Sequence, residues 1–218
     1  MAAAARRGLQ LALVAFVLYV SAQVIPLLVL PHVLLGVAAA AVLFRDARRS
    51  GPGPARMTAM GLGLVLGGML GILASNSLAS RALDAGALAL WDATLWPRMA
   101  AEIAVAGGFY ALAAPLAGAR SRILLGLAFG AAVATSIVGV AASLGPADAL
   151  VAEGRALAAD PSSEAYRTWV QDAFLRFLQA TESATLAKAT PYILFSWAYA
   201  TILGRLGADD TQRPSMAP

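Results

Sequence analysis

The chain has 218 residues, 60% of them hydrophobic and 13% charged, with a net charge of +4, no cysteine and a single histidine. Soluble domains carry about 25% charged and about 45–50% apolar residues, so this composition, with a mean hydropathy of +0.73, excludes an ordinary soluble domain. Without cysteine there are no disulfides, no thiol catalysis and no thiolate metal site, and the lone His32 excludes a multi-histidine metal or haem centre. No cofactor and no metal are expected.

Basic residues cluster in short groups beside apolar runs, as membrane proteins distribute them. A nucleic-acid partner is not expected, despite a pI near 10.0. Arginine far outnumbers lysine (Lys188 is the only one) and alanine is abundant, a pattern of GC-rich bacterial genomes.

The first apolar stretch, Gly8 to Phe44, is too long for one crossing of a bilayer core of roughly 30 Å. Ser21, Gln23 and Pro26 supply a turn, which predicts span one over Leu9 to Val20 and span two over Ile25 to Phe44. Arg6, Arg7, the apolar run and Val20-Ser21-Ala22 also fit a cleavable signal. Another span follows at once, however, and leaves a peptidase little room. Arg45 to Arg56, with Gly51, Pro52, Gly53 and Pro54 inside it, predicts a cytoplasmic loop. Span three is expected over Met57 to Ala79, span four over Met99 to Ala119, span five over Ile123 to Ser143 and span six over Leu186 to Leu206.

Short arginine clusters then fall on the side of the amino terminus, which places both termini in the cytoplasm. The expected fold is an all-α, polytopic helical membrane bundle of about six transmembrane helices with an external amphipathic helical layer. Its parts are residues 1–143 with spans one to five, residues 144–187 outside the membrane, and residues 188–218 with span six and a short tail. The expected location is the inner, or plasma, membrane. Residues 80–97, with Trp91 and Trp96, predict an interfacial helix.

Within residues 144–187, Asp160-Pro161 opens a helix to about Thr181. Tyr166, Trp169, Phe174 and Phe177 line one face of it. Mixed charge on the other face favours protein over lipid contact, so Trp169, Phe174 and Phe177 become candidates for docking a partner or the chain's own spans. Asp172 and Arg176 should pair.

Gly63, Gly67 and Gly71 repeat every fourth residue, as do Gly126 and Gly130. Small residues at that spacing let helices approach closely. Their plain reading is packing within one bundle, and their sharper one is a homo-oligomer or partner-subunit face. His32, Asn76, Glu102 and Gln23 all fall near the outer ends of their spans, and together they form the candidate ligand-binding group. Glu102 also lies one turn after Arg98, so a local ion pair would account for it without any function.

Enzyme chemistry is not expected. No Ser–His or paired-carboxylate set gathers at one level, the Gly51–Gly53 stretch lacks a phosphate-loop ending, and no mid-depth relay marks a proton-coupled pump. An intramembrane enzyme would need His32 or Glu102 to be catalytic, with little around either. The leading expectation is a transport component, a small substrate-binding or channel-like bundle open to the outer side. The alternative is a non-catalytic structural or assembly subunit of a larger membrane complex. Beyond the lipid bilayer, partner subunits or a second copy are the partners in view.

Overall fold

The computed structural model describes residues 6, 8–14 and 29–211, and every regular element among them is helical, with no strand. Residues 8–14 are helical. Helix α1 then spans Val29–Ser50, α2 Pro52–Asp84, α3 Leu88–Ala93 and α4 Leu95–Ala113. A 3₁₀ turn over Ala114–Leu116 leads to α5 at Ala119–Gly154, and a second at Leu157–Ala159 leads to α6 at Glu164–Ala180. Helices α7, Glu182–Ala187, and α8, Ala189–Thr211, complete the described residues. Among the described residues, three helical stretches, Pro52–Asp84, Leu88–Leu116 and Ala119–Gly154, are long and apolar enough to cross a membrane.

The helices outrun the apolar stretches that announce them. Arg48 and Arg49 form the last turn of α1 rather than a loop, where cations favour the negative end of the helix dipole. The break falls at Gly51 alone, at φ +120°. Pro52 and Pro54 occupy the first turn of α2, where a missing N–H costs nothing because those donors have no helical acceptor.

Likewise α5 continues to Gly154, through Pro146. The proline removes one backbone bond, and the residues after it remain helical. The expected single helix near 80–97 is instead the end of α2, a turn, α3 and the start of α4. Gly86 makes that turn at φ +69°. A Cβ there would stand 2.8 Å from the Ala158 carbonyl oxygen and from Pro161. Thr94 ends α3, its hydroxyl donating to the Trp91 carbonyl at 2.7 Å.

The chain divides into two compact units, one of Met1–Leu64, Gly107–Phe129 and Pro191–Pro218, the other of Val65–Ala106 and Gly130–Thr190. They interleave along the sequence. In the first unit, Gly61 packs so closely that a Cβ would lie 2.9 Å from the Gly108 carbonyl oxygen. The Tyr199 hydroxyl donates to the Phe109 carbonyl at 2.8 Å in a buried bond, and both rings pack with Phe195 or with each other at about 6.5 Å. Buried polar groups of this kind are retained when they are satisfied. Arg205 donates to the Leu116 carbonyl, which closes the end of the first 3₁₀ turn.

In the second unit, Gly68 meets Ala101 and Val105, with a Cβ only 2.6 Å from the Ala101 carbonyl oxygen. Helix α6 seats Tyr166, Trp169 and Ala173 in a buried cluster with Leu88 and Leu150. Ser163, not Asp160, caps it by accepting from the Tyr166 N–H at 3.1 Å. Asp160 instead holds the preceding turn, accepting from the Ser162 N–H and hydroxyl. A capping side chain must sit two or three residues before its donor, and Asp160 is too far back.

Candidate ligand-binding cleft

The second unit holds a cleft of about 120 Å³ lined by residues from α4, α5, α6 and α7. Glu102 enters it from α4. Arg98, one turn earlier, reaches the carboxylate through Nε at 3.3 Å. Lys188, at the α7–α8 junction and 86 residues away, donates to both oxygens, at 3.0 Å to Oε1 and 2.8 Å to Oε2.

Gly139 of α5 makes room for the lysine, since a Cβ there would lie 3.3 Å from Lys188 Cε. Two hydroxyls in the lining are committed to backbone. Ser143 donates to the Gly139 carbonyl at 2.7 Å and Thr181 to that of Phe177 at 2.9 Å. Leu95, Met99, Val140 and Phe177 supply apolar wall.

The side chains of Glu102 and Lys188 are 17% and 28% exposed, whereas that of Arg98 is 43% exposed. Glu102 and Lys188 are therefore largely withdrawn from water, while Arg98 is the more exposed of the three. Charges so placed are costly unless paired, and the pairing here is two cations on one anion. The cleft keeps a net positive charge.

The other expected site residues are arranged differently. Asn76 is exposed on α2 and does not line the cleft. Its neighbour Ser75 is buried, with Ile72 one turn before it, and it is Gly68 and Gly71 of α2, not Asn76, that lie opposite Ala101 beside Glu102. His32 belongs to α1, but its side chain lies outside the described residues, as does all of Gln23.

Among the glycines, Gly71 lies against the Ala101 Cβ, while Gly63, Gly67, Gly126 and Gly130 have no atom of the described residues near their Cβ positions. On α2 the close approaches to neighbouring backbone fall instead at Gly61 and Gly68. On α6, Trp169 is buried within its own chain, Phe177 stacks edge-on with Trp91 at 5.4 Å, and Phe174 is 53% exposed.

Sequence reasoning missed Lys188. The signal was available in principle: it is the only lysine of the chain, set at the head of an apolar run.

Among the described residues, the fold is all-helical with three potential membrane-crossing helices, and the cleft holds a half-buried cluster of three charges. Comparison with family models, curated proteins and solved structures gives no match, so the site is read from its own geometry.

Proposed function

We propose that the protein is a multispan membrane transport component whose small-ligand site is the Glu102–Lys188 cleft. In this reading six spans cross the plasma membrane with both termini cytoplasmic, and α6 with the α2–α3 turn forms an amphipathic layer on the outer side. The observation that supports it best is the cleft itself. Ionisable groups among long apolar helices are costly, and they tend to face a cavity or a pathway.

The test is reconstitution into liposomes with solute entry followed by swelling and by isotope uptake. Flux above that of empty liposomes should fall at least about tenfold in the double variant Glu102→Gln/Lys188→Met, the loss of a charge-assisted contact being worth that much. The detergent melting temperature should stay near that of the wild type, because both charges leave together. If no ion or small metabolite enters faster than in empty liposomes, the transport reading is withdrawn.

The second reading, a non-catalytic assembly subunit or homo-oligomer, draws on the four open glycines. Gly63, Gly67, Gly126 and Gly130 present backbone that a partner helix could approach closely.

A further inference from the structure

We propose that the cleft at Glu102 recognises a small oxyanion carrying one negative charge, bound by Arg98 and Lys188. The inference rests on the reading of this cleft as a ligand site and names the chemistry of its ligand. Counting donors and acceptors leads there. A carboxylate offers about four lone-pair positions, and Glu102 already accepts twice from Lys188 and once from Arg98. Little remains with which to recognise a cation or a ligand N–H.

The donors are in surplus. A guanidinium has five N–H groups and an ammonium three, and Arg98 spends one and Lys188 two on Glu102. Both terminal nitrogens of Arg98 are left over, with no partner among the described residues, on the more exposed side chain of the three. That pair of nitrogens is the planar fork that matches carboxylate and phosphate oxygens.

The hydroxyl hydrogens of Ser143 and Thr181 are spent on backbone carbonyls, so recognition falls to the cations. Two cations and one anion leave one positive charge for a monoanion to neutralise. The volume, about 120 Å³, has room for roughly ten waters at about 10–15 Å³ each, enough to admit a carboxylate or phosphate group together with its hydration or a small organic body. Glu102 sets the fork at the mouth and, by its own charge, limits affinity so that the anion can leave.

The oxyanion could be free in solution or the headgroup of a lipid, and two arms separate these sources. In one, the full-length protein in detergent is titrated calorimetrically with inorganic phosphate at constant ionic strength. In the other, the protein in phosphatidylcholine nanodiscs is compared with protein in nanodiscs containing phosphatidylglycerol, by thermal shift. Binding in the first arm assigns a soluble oxyanion, and stabilisation in the second without the first assigns a lipid phosphate.

In either arm Arg98→Gln should weaken binding about tenfold or more, with Arg98→Lys intermediate because it keeps the charge but loses the fork. Glu102→Gln should tighten binding by a similar factor, since it removes the competing carboxylate. A merely structural ion pair would not show that gain. Absence of binding in both arms, or weaker binding in Glu102→Gln that still melts like the wild type, overturns the proposal. Anion binding without flux in liposomes would remove the transport reading and leave this site. Cleft-dependent flux of an uncharged solute without anion binding would do the reverse.

Discussion

Gly63 and Gly68 lie on the same helix and should answer the same substitution in opposite ways. A methyl at Gly68 would meet the Ala101 carbonyl oxygen at 2.6 Å, and backbone cannot step aside as a side chain can. Gly68→Ala should therefore cost about 1–3 kcal/mol. At Gly63 the same methyl meets nothing among the described residues, and alanine relieves the entropic cost of glycine in a helix, worth up to about 1 kcal/mol. Thermal melting of both variants in one detergent should show a drop for the first and no drop for the second. A drop at Gly63 would mean that something already occupies that face.

The contrast also shows what sequence could not give. A four-residue glycine repeat is legible, but which of its faces is buried is decided by the neighbour's position. Here the contact runs through Gly61 and Gly68, seven residues apart, and takes in only Gly71 of the repeat. Asn76 failed to join the cleft for a related reason. Residue number fixes height along a helix, at about 1.5 Å per residue, and says nothing of where the partner helix stands. The Arg98–Glu102 pair was legible because both partners lie on one helix. Lys188 was not, because its approach to Glu102 is made by the fold.

Helix α6 shows the same division at the scale of an element. Its aromatic stripe was visible in the spacing, and so was the ion pair of Asp172 with Arg176, at 2.9 Å. What covers the stripe was not visible. Gly154 does so in part, for its Cβ position lies only 2.2 Å from the Trp169 ring, and Glu153 accepts from the indole N–H at 3.2 Å. Trp169→Ala should cost about 3–5 kcal/mol, the range for emptying a buried aromatic site. Phe174→Ala, at an exposed position, should change stability by less than about 0.5 kcal/mol. Equal losses in the two would show that the exposed ring is covered by something outside this chain.

Alkaline pH probes the same element through Tyr166, whose hydroxyl donates to the Leu83 carbonyl. Burial, and then the nearby Asp84 charge, push this phenol above its ordinary value near 10. A group whose folded-state value is raised contributes stability that is complete below the unfolded value. That stability is lost as pH climbs through the raised one. Melting temperature should thus fall above about pH 10 in the wild type. Tyr166→Phe should be less stable below that pH and lose less above it. Parallel curves for the two proteins would detach the phenol from the alkaline loss.

For the whole molecule, the proposed membrane residence rests on composition, and the proposed orientation on where the arginines fall. Both predict an outcome in intact cells. An impermeant thiol reagent should label Ser163→Cys and spare Ser50→Cys, with no background because the native chain has no cysteine. The opposite pattern would invert the topology and turn the cleft towards the cytoplasm. Helix ends were the least legible feature at this scale. Apolar runs mark where a chain prefers lipid, whereas helices end where backbone bonding fails, and the polar turns Arg45–Ser50 and Leu144–Gly154 bond as well as apolar ones do.

The solitary lysine has a practical consequence. Because Lys188 supplies the only ε-amine of the chain, a reagent that acylates amines has one side-chain target, and that target sits in the cleft. With the amino terminus blocked, the rate at which this single amine is modified becomes a direct meter of how often the Glu102 contact opens. A bound molecule would slow it in proportion to occupancy. The chain thus contains its own reporter for identifying a ligand among unlabelled candidates, with no residue changed.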